Sequence, residues 1–337
     1  MKNVAIIIPY FGKIPNNIVT FLESCRINTK IDWLIFTDQN FKKFDVPLNV
    51  HIINENFETV KKRIRDAVNL DNIILDEPYN LCDYKPIYGI AFKDFLSEYR
   101  YWGYSDIDVV YGDLWKFIQL GIEKGYDRIG HLGHFTLFRN SKEVNNRYVL
   151  PINKNGKHQY LYKNVFKTPN ICHFDEAWGM SLIYDQYNFS TYENKNLVNE
   201  PYPENMDLIS IDKQFLRLPQ LYLYRNGKCI FLYEKGKKIN EIEYGYFHFQ
   251  KRLFVNYLSK PCDNFYVDTS GYHILSDFKS PLLSELVKNK SPFFKRLSYM
   301  MYTYHRTNWF TDRKLFNYYI PIKHIYNRIF REHDFFV

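Results

Sequence analysis

Three short apolar runs, each closed by a turn former, constrain the fold of this chain more than any other feature. Val4-Ala-Ile-Ile-Ile8 ends on Pro9 and Gly12, Trp33-Leu-Ile-Phe-Thr37 closes on Asp38, and Val50-His-Ile-Ile53 precedes a charged stretch with helical spacing over residues 57–68. A run that is apolar at every position has no solvent face, so it belongs inside a sheet covered on both sides. Residues 18–27 carry a helical pattern between the first two runs. Strands alternating with helices predict an α/β fold, with a mixed, mostly parallel sheet and ligands at the carboxyl ends of its strands. A further helix is expected over residues 87–99, and mixed short strands over 221–224, 229–233 and 246–250.

Charge is informative once it is located. The net charge is +8, and residues 288–337 hold 10 Lys/Arg against 3 Asp/Glu, so the first 287 residues are nearly neutral. A nucleic-acid-binding domain spreads its basic footprint over the folded part, so no nucleic-acid partner is expected. The five cysteines are scattered without a Cys-x-x-Cys pair. This predicts neither a disulfide framework nor a structural zinc site, and it fits a reducing cytoplasm. The first residues enter a strand directly, without a signal-peptide pattern, and no run approaches the 18 apolar residues of a membrane span.

The sharpest chemical signal is Asp106-Ile107-Asp108, after the lead-in Tyr101-Trp-Gly-Tyr-Ser105 and before Gly112-Asp113. Along an extended chain, positions i and i+2 point to one side, so both carboxylates converge while Ile107 turns inward. Paired carboxylates suit a hard divalent cation whose remaining sites are filled by phosphate and water. A solvated turn or helix cap is the other reading of the triplet.

Ser105-Asp106-Ile107-Asp108, behind a strand-initial nucleotide domain, resembles the Asp-x-Asp motif of GT-A glycosyltransferases, over residues 4–252. Within that superfamily the chain looks most like bacterial capsule, exopolysaccharide and lipopolysaccharide transferases, with likeness to the glycogenin-like family. The resemblance implies a GT-A (Rossmann-like) fold and a nucleotide-sugar donor, usually UDP-linked. It also implies Mn²⁺ or Mg²⁺ on Asp106 and Asp108, and a glycan or lipid-linked acceptor.

Other positions follow from the same resemblance. Pro9, Tyr10 and Phe11 stand where the family holds the nucleobase, and Asp38 where it often contacts uracil. Asp83 and Lys85 fall where it contacts ribose or diphosphate; otherwise Lys85 is a surface lysine before a helix-starting proline. His248, in Tyr246-Phe-His-Phe-Gln250, resembles the late histidine that completes the metal site, with Lys251 or Arg252 on the diphosphate. The glycine and Lys-Pro-Trp that usually follow are missing, and a core histidine is the other reading. An imidazole ligand would favour Mn²⁺.

Two segments compete for the acceptor and the chemistry. One, from His131 to Asn140, resembles the acceptor-side strand of related enzymes, which implies His134 and Asn140 as acceptor contacts; the other is His173-Phe-Asp-Glu-Ala-Trp-Gly179. There Asp175 or Glu176 could act as base or shield the sugar cation, and Trp178 could stack on a sugar. A helix N-cap is the alternative.

A catalytic domain over residues 1–278 is expected, with a nucleotide-binding half to about 115 and an acceptor half beyond it, followed by a basic helical tail over 279–337. In the tail Ile322, Ile325, Tyr326, Ile329 and Phe330 share one helical face beside Lys323, Arg328 and Arg331. Such a helix suits an anionic membrane surface, here the inner face of the membrane; packing on its own domain or on a homodimer partner is the other reading. Rival readings are a nucleotidyltransferase, for which no Gly-rich phosphate loop follows the first run, and a sugar- or nucleic-acid-binding module without catalysis.

Overall fold

The first apolar run forms β1 (Lys2–Pro9), and the next two form β2 (Ile31–Thr37) and β3 (Val50–Asn54). Then come β4 (Tyr99–Ser105), β5 (Val109–Tyr111), β6 (Arg128–Leu132) and β7 (Phe135–Arg139). Short strands follow: β8 (Ile152–Lys154), β9 (His158–Tyr160), β10 (Thr191–Tyr192) and β11 (Val198–Asn199). After them come β12 (Gln220–Arg225), β13 (Lys228–Lys235), β14 (Lys238–Tyr244) and β15 (Tyr246–His248). β16 (Val255–Asn256), β17 (Asn264–Val267) and β18 (Gly271–Ile274) complete the set. With α1 (Ile18–Arg26) and α2 (Phe57–Val68) between early strands, the protein is mixed α/β. This computed structural model describes residues 2–154, 158–201, 208–215, 218–236, 238–250, 254–256, 258, 262–268 and 270–275.

The chain divides into two compact units, residues 1–107 with 113–197, and residues 108–112 with 198 onward. The first is built on a seven-stranded sheet ordered β10-β6-β7-β4-β1-β2-β3. β1 pairs parallel with both β2 and β4, β2 pairs parallel with β3, and β7 runs antiparallel between β4 and β6. Val4, Ala5, Ile6 and Ile7 are fully buried, as an inner strand covered on both faces requires. The register sets Ile7 opposite Tyr104 and Pro9 opposite Phe36. Pro9, Tyr10, Phe11, Asp38 and Asp106 therefore share the carboxyl edge of three adjacent parallel strands.

α2 matches its sequence pattern. The Asn56 side chain accepts from the Thr59 amide at 2.9 Å, Asn69 ends the helix at φ 48°, and Val60, Ile64 and Val68 are buried. Those three lie four residues apart on one face. The single helix expected over 87–99 does not form. A 3₁₀ turn Lys85–Ile87 and two helical turns, Tyr88–Ala91 and Lys93–Leu96, stand there, and β4 begins at Tyr99. Phe92 leaves helical dihedrals at φ −112°, ψ 21°, and its ring packs 4.5 Å from that of Phe36. Gly89 lies so close to the Trp102 indole that any Cβ would overlap it. Tertiary packing overrides the local helical pattern.

The second unit holds a six-stranded sheet, β14-β13-β12-β17-β18-β16, and a three-stranded sheet, β11-β15-β5. Its core is aromatic: Val110, Tyr222, Phe231, Phe247 and Phe249 pack in one buried cluster, with the Tyr222 and Phe247 rings 4.9 Å apart. Among the described residues no helix is long and apolar enough to cross a membrane. The tail, 279–337, lies outside the described residues, as do Lys251 and Arg252.

Candidate active site

In the second unit, strand pairing gathers three chemically active residues from distant parts of the chain. β15 runs antiparallel to β5 with His248 opposite Val109, and the Phe249 amide donates to the Asp108 carbonyl at 3.0 Å. On its other side β15 pairs parallel with β11, Asn199 opposite Phe247, so Glu200 leaves β11 beside His248. Nε2 of His248 lies 3.5 Å from Asp108 Oδ1, and Nδ1 lies 3.0 Å from Glu200 Oε2. Gln250 donates to Glu200 Oε2 at 3.2 Å and to the Pro201 carbonyl at 2.9 Å, fixing that carboxylate. Burial pulls the imidazole toward neutrality, but Asp108 and Glu200 outweigh it and raise His248 to about 10. Asp108 and His248 each offer a ligand atom, within 4.8 Å of one another. Carboxylate oxygen with imidazole nitrogen is a donor set that fits Mn²⁺.

In the first unit, Asp106 follows β4, but the triplet lies in a bend between β4 and β5, not in extended chain. The alternation expected of a strand therefore does not orient it. Ile107 is buried as expected, and its carbonyl accepts from the Asn17 side chain at 3.1 Å. The Asp106 amide donates to the His134 carbonyl at 3.2 Å, so His134 braces the triplet through its backbone.

Lys85 is not a surface lysine. Its ammonium lies 2.8 Å from Asp106 Oδ1, 2.7 Å from the Gly133 carbonyl and 3.4 Å from Asp175 Oδ2, which occupies its three donors. Burial alone would lower its pKa, yet Asp106 and Asp175 hold it well above the usual lysine value.

The two segments that compete in the sequence meet here. The Gly133 amide donates to Glu176 Oε2 at 3.1 Å, and Glu176 Oε1 lies 2.9 Å from His173 Nδ1. A Cβ on Gly133 would come within 2.7 Å of Asp175 Oδ2, so glycine is needed for the approach. Asp175 is 4% exposed, and burial chiefly raises its carboxyl above the usual range, Lys85 opposing. For Glu176, burial works the other way from His173 and the Gly133 amide, which prevail and hold it low. Neither acid caps the following helix, Met180–Gln186, whose N-cap is Gly179. Trp178, half-buried, belongs to the same turn.

Several expected contacts lie elsewhere or serve the fold. Asp83 is buried, its two carboxylate oxygens accepting from the amides of Cys172 at 2.7 Å and Phe174 at 2.8 Å. It clamps the loop that presents Asp175 and Glu176, which leaves it no route to a ribose. Asn140 donates to the carbonyls of Leu96 at 2.8 Å and Tyr99 at 3.0 Å. It sits at the start of β4, about 20 Å along the strand from Asp106 at roughly 3.3 Å per residue, so it is not an acceptor contact there. Tyr10 donates its hydroxyl to the Lys13 carbonyl at 2.6 Å, Phe11 packs on Phe57 at 5.6 Å, and Asp38 is exposed. Sequence reasoning missed Glu200, His173 and the clamping role of Asp83, because no spacing marks residues that converge through pairing of distant strands and loops.

The clamp gives a pH prediction. Burial pushes the Asp83 carboxyl up to about 6, against the two amides that lower it. A folded-state pKa raised above the unfolded value of about 3.9 means that stability is full below pH 4 and falls as pH rises through 6. Two units correspond to on the order of 3 kcal/mol. In Asp83→Asn this slope should vanish: denaturant unfolding at pH 4, 5 and 6 is expected to show a flatter profile than wild type. Parallel profiles would remove the assignment.

Residues 6–276 match the model of a family of unknown function, DUF6625. The chain belongs to that family. No match was found among curated proteins or among solved structures.

Proposed function

We propose that the protein is a metal-dependent glycosyltransferase of GT-A type. In this reading it moves a hexose from a nucleoside diphosphate sugar, UDP-linked, to a glycan or lipid-linked acceptor in bacterial cell-surface polysaccharide synthesis. The observation that carries the reading is Asp108 beside the imidazole of His248, in a triplet that follows an inner strand of the sheet. Asp108 and His248 would hold a divalent cation, Mn²⁺ before Mg²⁺. Bound there, the cation would take up the charge that grows on the departing nucleoside diphosphate. Glu200, 3.0 Å from Nδ1 of His248, fixes the orientation of the ring, so that Nε2 would face the cation once its proton is displaced. Lys85 fixes Asp106 and Asp175, and the rim from Pro9 to Phe11 with Asp38 is the place for the nucleoside. Attachment of the basic tail to an anionic membrane surface belongs to the same proposal and rests on its sequence pattern.

A nucleotidyltransferase would need a phosphate-cradling loop after β1, where Tyr10, Phe11 and a single glycine, Gly12, stand. A binding module without catalysis would need no cation. The test is a panel of nucleotide sugars incubated with Mn²⁺ and assayed for free sugar. One UDP-hexose is expected to be hydrolysed with Mn²⁺ and to stop being hydrolysed when EDTA is added. Binding and release indifferent to the chelator would overturn the reading.

A further inference from the structure

We propose that His173, oriented by Glu176, is the general base that takes the acceptor's proton, so that transfer is a single displacement with inversion at the sugar carbon. The inference rests on the glycosyltransferase reading and adds a catalytic residue to it. Nδ1 of His173 lies 2.9 Å from Glu176 Oε1, and Glu176 is itself fixed by the Gly133 amide at 3.1 Å. A carboxylate on Nδ1 holds that proton in place and leaves the Nε2 lone pair for a substrate hydroxyl, the logic of any base oriented by a third group. The His173 side chain is 32% exposed, so a hydroxyl can reach it.

The backbone points the same way. His173 has φ 52°, a left-handed conformation that a side chain adopts at a cost on the order of 1 kcal/mol or more. The strain is held by the residues on either side, whose amides both donate to the buried Asp83. The dyad is also linked by hydrogen bonds to Asp106. Gly133 binds Glu176 through its amide and Lys85 through its carbonyl, and Lys85 binds Asp106.

The carboxylates are less available than the imidazole. Asp175 is 4% exposed and faces the Lys85 ammonium at 3.4 Å, and both oxygens of Glu176 are engaged. A double displacement through Asp175 would require that buried oxygen to reach the sugar. In the single displacement, the acceptor oxygen forms its bond to the anomeric carbon as its proton passes to Nε2 of His173. The bond from that carbon to the diphosphate oxygen breaks, and the electron pair leaves with the nucleoside diphosphate.

The groups facing His173 are Glu176, Asp175 and Asp83; burial lowers its pKa, and these carboxylates, Glu176 foremost, raise it above the ordinary value. Activity should therefore rise with pH as the imidazole loses its proton. The experiment uses the full chain with Mn²⁺ and the UDP-α-hexose that it hydrolyses, water acting as acceptor. Wild type is expected to release the β-anomer first, read by proton NMR before mutarotation. His173→Gln should lower kcat by about 10²–10⁴-fold, lose the acidic limb of the pH profile, and keep donor KM and Mn²⁺ binding by electron paramagnetic resonance. Glu176→Gln should move that limb to lower pH while retaining part of kcat, which a merely structural role would not do. The α-anomer first, or a His173→Gln enzyme within about threefold of wild type with its acidic limb intact, would overturn the inference alone. Wild type inactive on every nucleotide sugar would overturn the glycosyltransferase reading and this inference with it.

Discussion

Asp108→Asn is expected to lower Mn²⁺-dependent hydrolysis of the donor by on the order of 10²–10³-fold, the loss typical when one group stabilising transition-state charge is removed, with the fold retained. The side chains are nearly isosteric, and the structural bond at this position is made by the main chain, whose carbonyl accepts from Phe249. The Asp108 carboxylate stands 3.5 Å from His248 Nε2, and Glu200, 3.0 Å from Nδ1, remains to hold the imidazole when Asp108 is replaced. What the substitution removes is a charged oxygen ligand, which a carboxamide replaces poorly for a divalent cation. Kinetics at saturating Mn²⁺ alongside a denaturant melt decide the matter. Near-normal kcat with an unchanged melt would take the cation away from Asp108.

Lys85→Met should destabilise the fold by about 3–5 kcal/mol, the range for breaking a buried ion pair from one side. The Lys85 side chain is 12% exposed and Asp175 is 4% exposed, so removing the ammonium strands a carboxylate in a place water barely reaches. Asp106, 34% exposed, is screened better and contributes the smaller part. Adding Asp175→Asn to Lys85→Met should recover some of the loss, because the stranded charge goes with it. Denaturant unfolding of the single and double variants measures both. A lysine acting as a diphosphate ligand would instead raise donor KM and leave stability alone. A change below about 1 kcal/mol, within the range of ordinary surface substitutions, would refute the buried-cation role.

Much of the first sheet was legible in one dimension. Residues 4–8, 33–37 and 50–53 are apolar at every or nearly every position, a property of the local run, and they form β1, β2 and β3. α2 was equally legible, since its cap and its buried face at Val60, Ile64 and Val68 are set by residues within one helix. The helix expected over 87–99 was not, because the break depends on Trp102 against Gly89 and on Phe36 against Phe92. Neither contact leaves a mark in the segment itself.

The candidate site divides in the same way. Asp106 and Asp108 could be named from residue type and local context, and His248 from the family resemblance. That Lys85 would be spent on Gly133, 48 residues away, and that Asp83 would hold the Phe174 amide 91 residues on, could not. Glu200 reaches His248 across 48 residues, through the pairing of β11 with β15. The sequence by itself determined which segments are buried strands and helices, since burial and periodicity are properties of neighbouring residues. The tertiary structure decided which carboxylate meets which cation or imidazole, because a hydrogen bond at 3 Å depends on strand register and loop closure, and these are settled by packing across the whole unit.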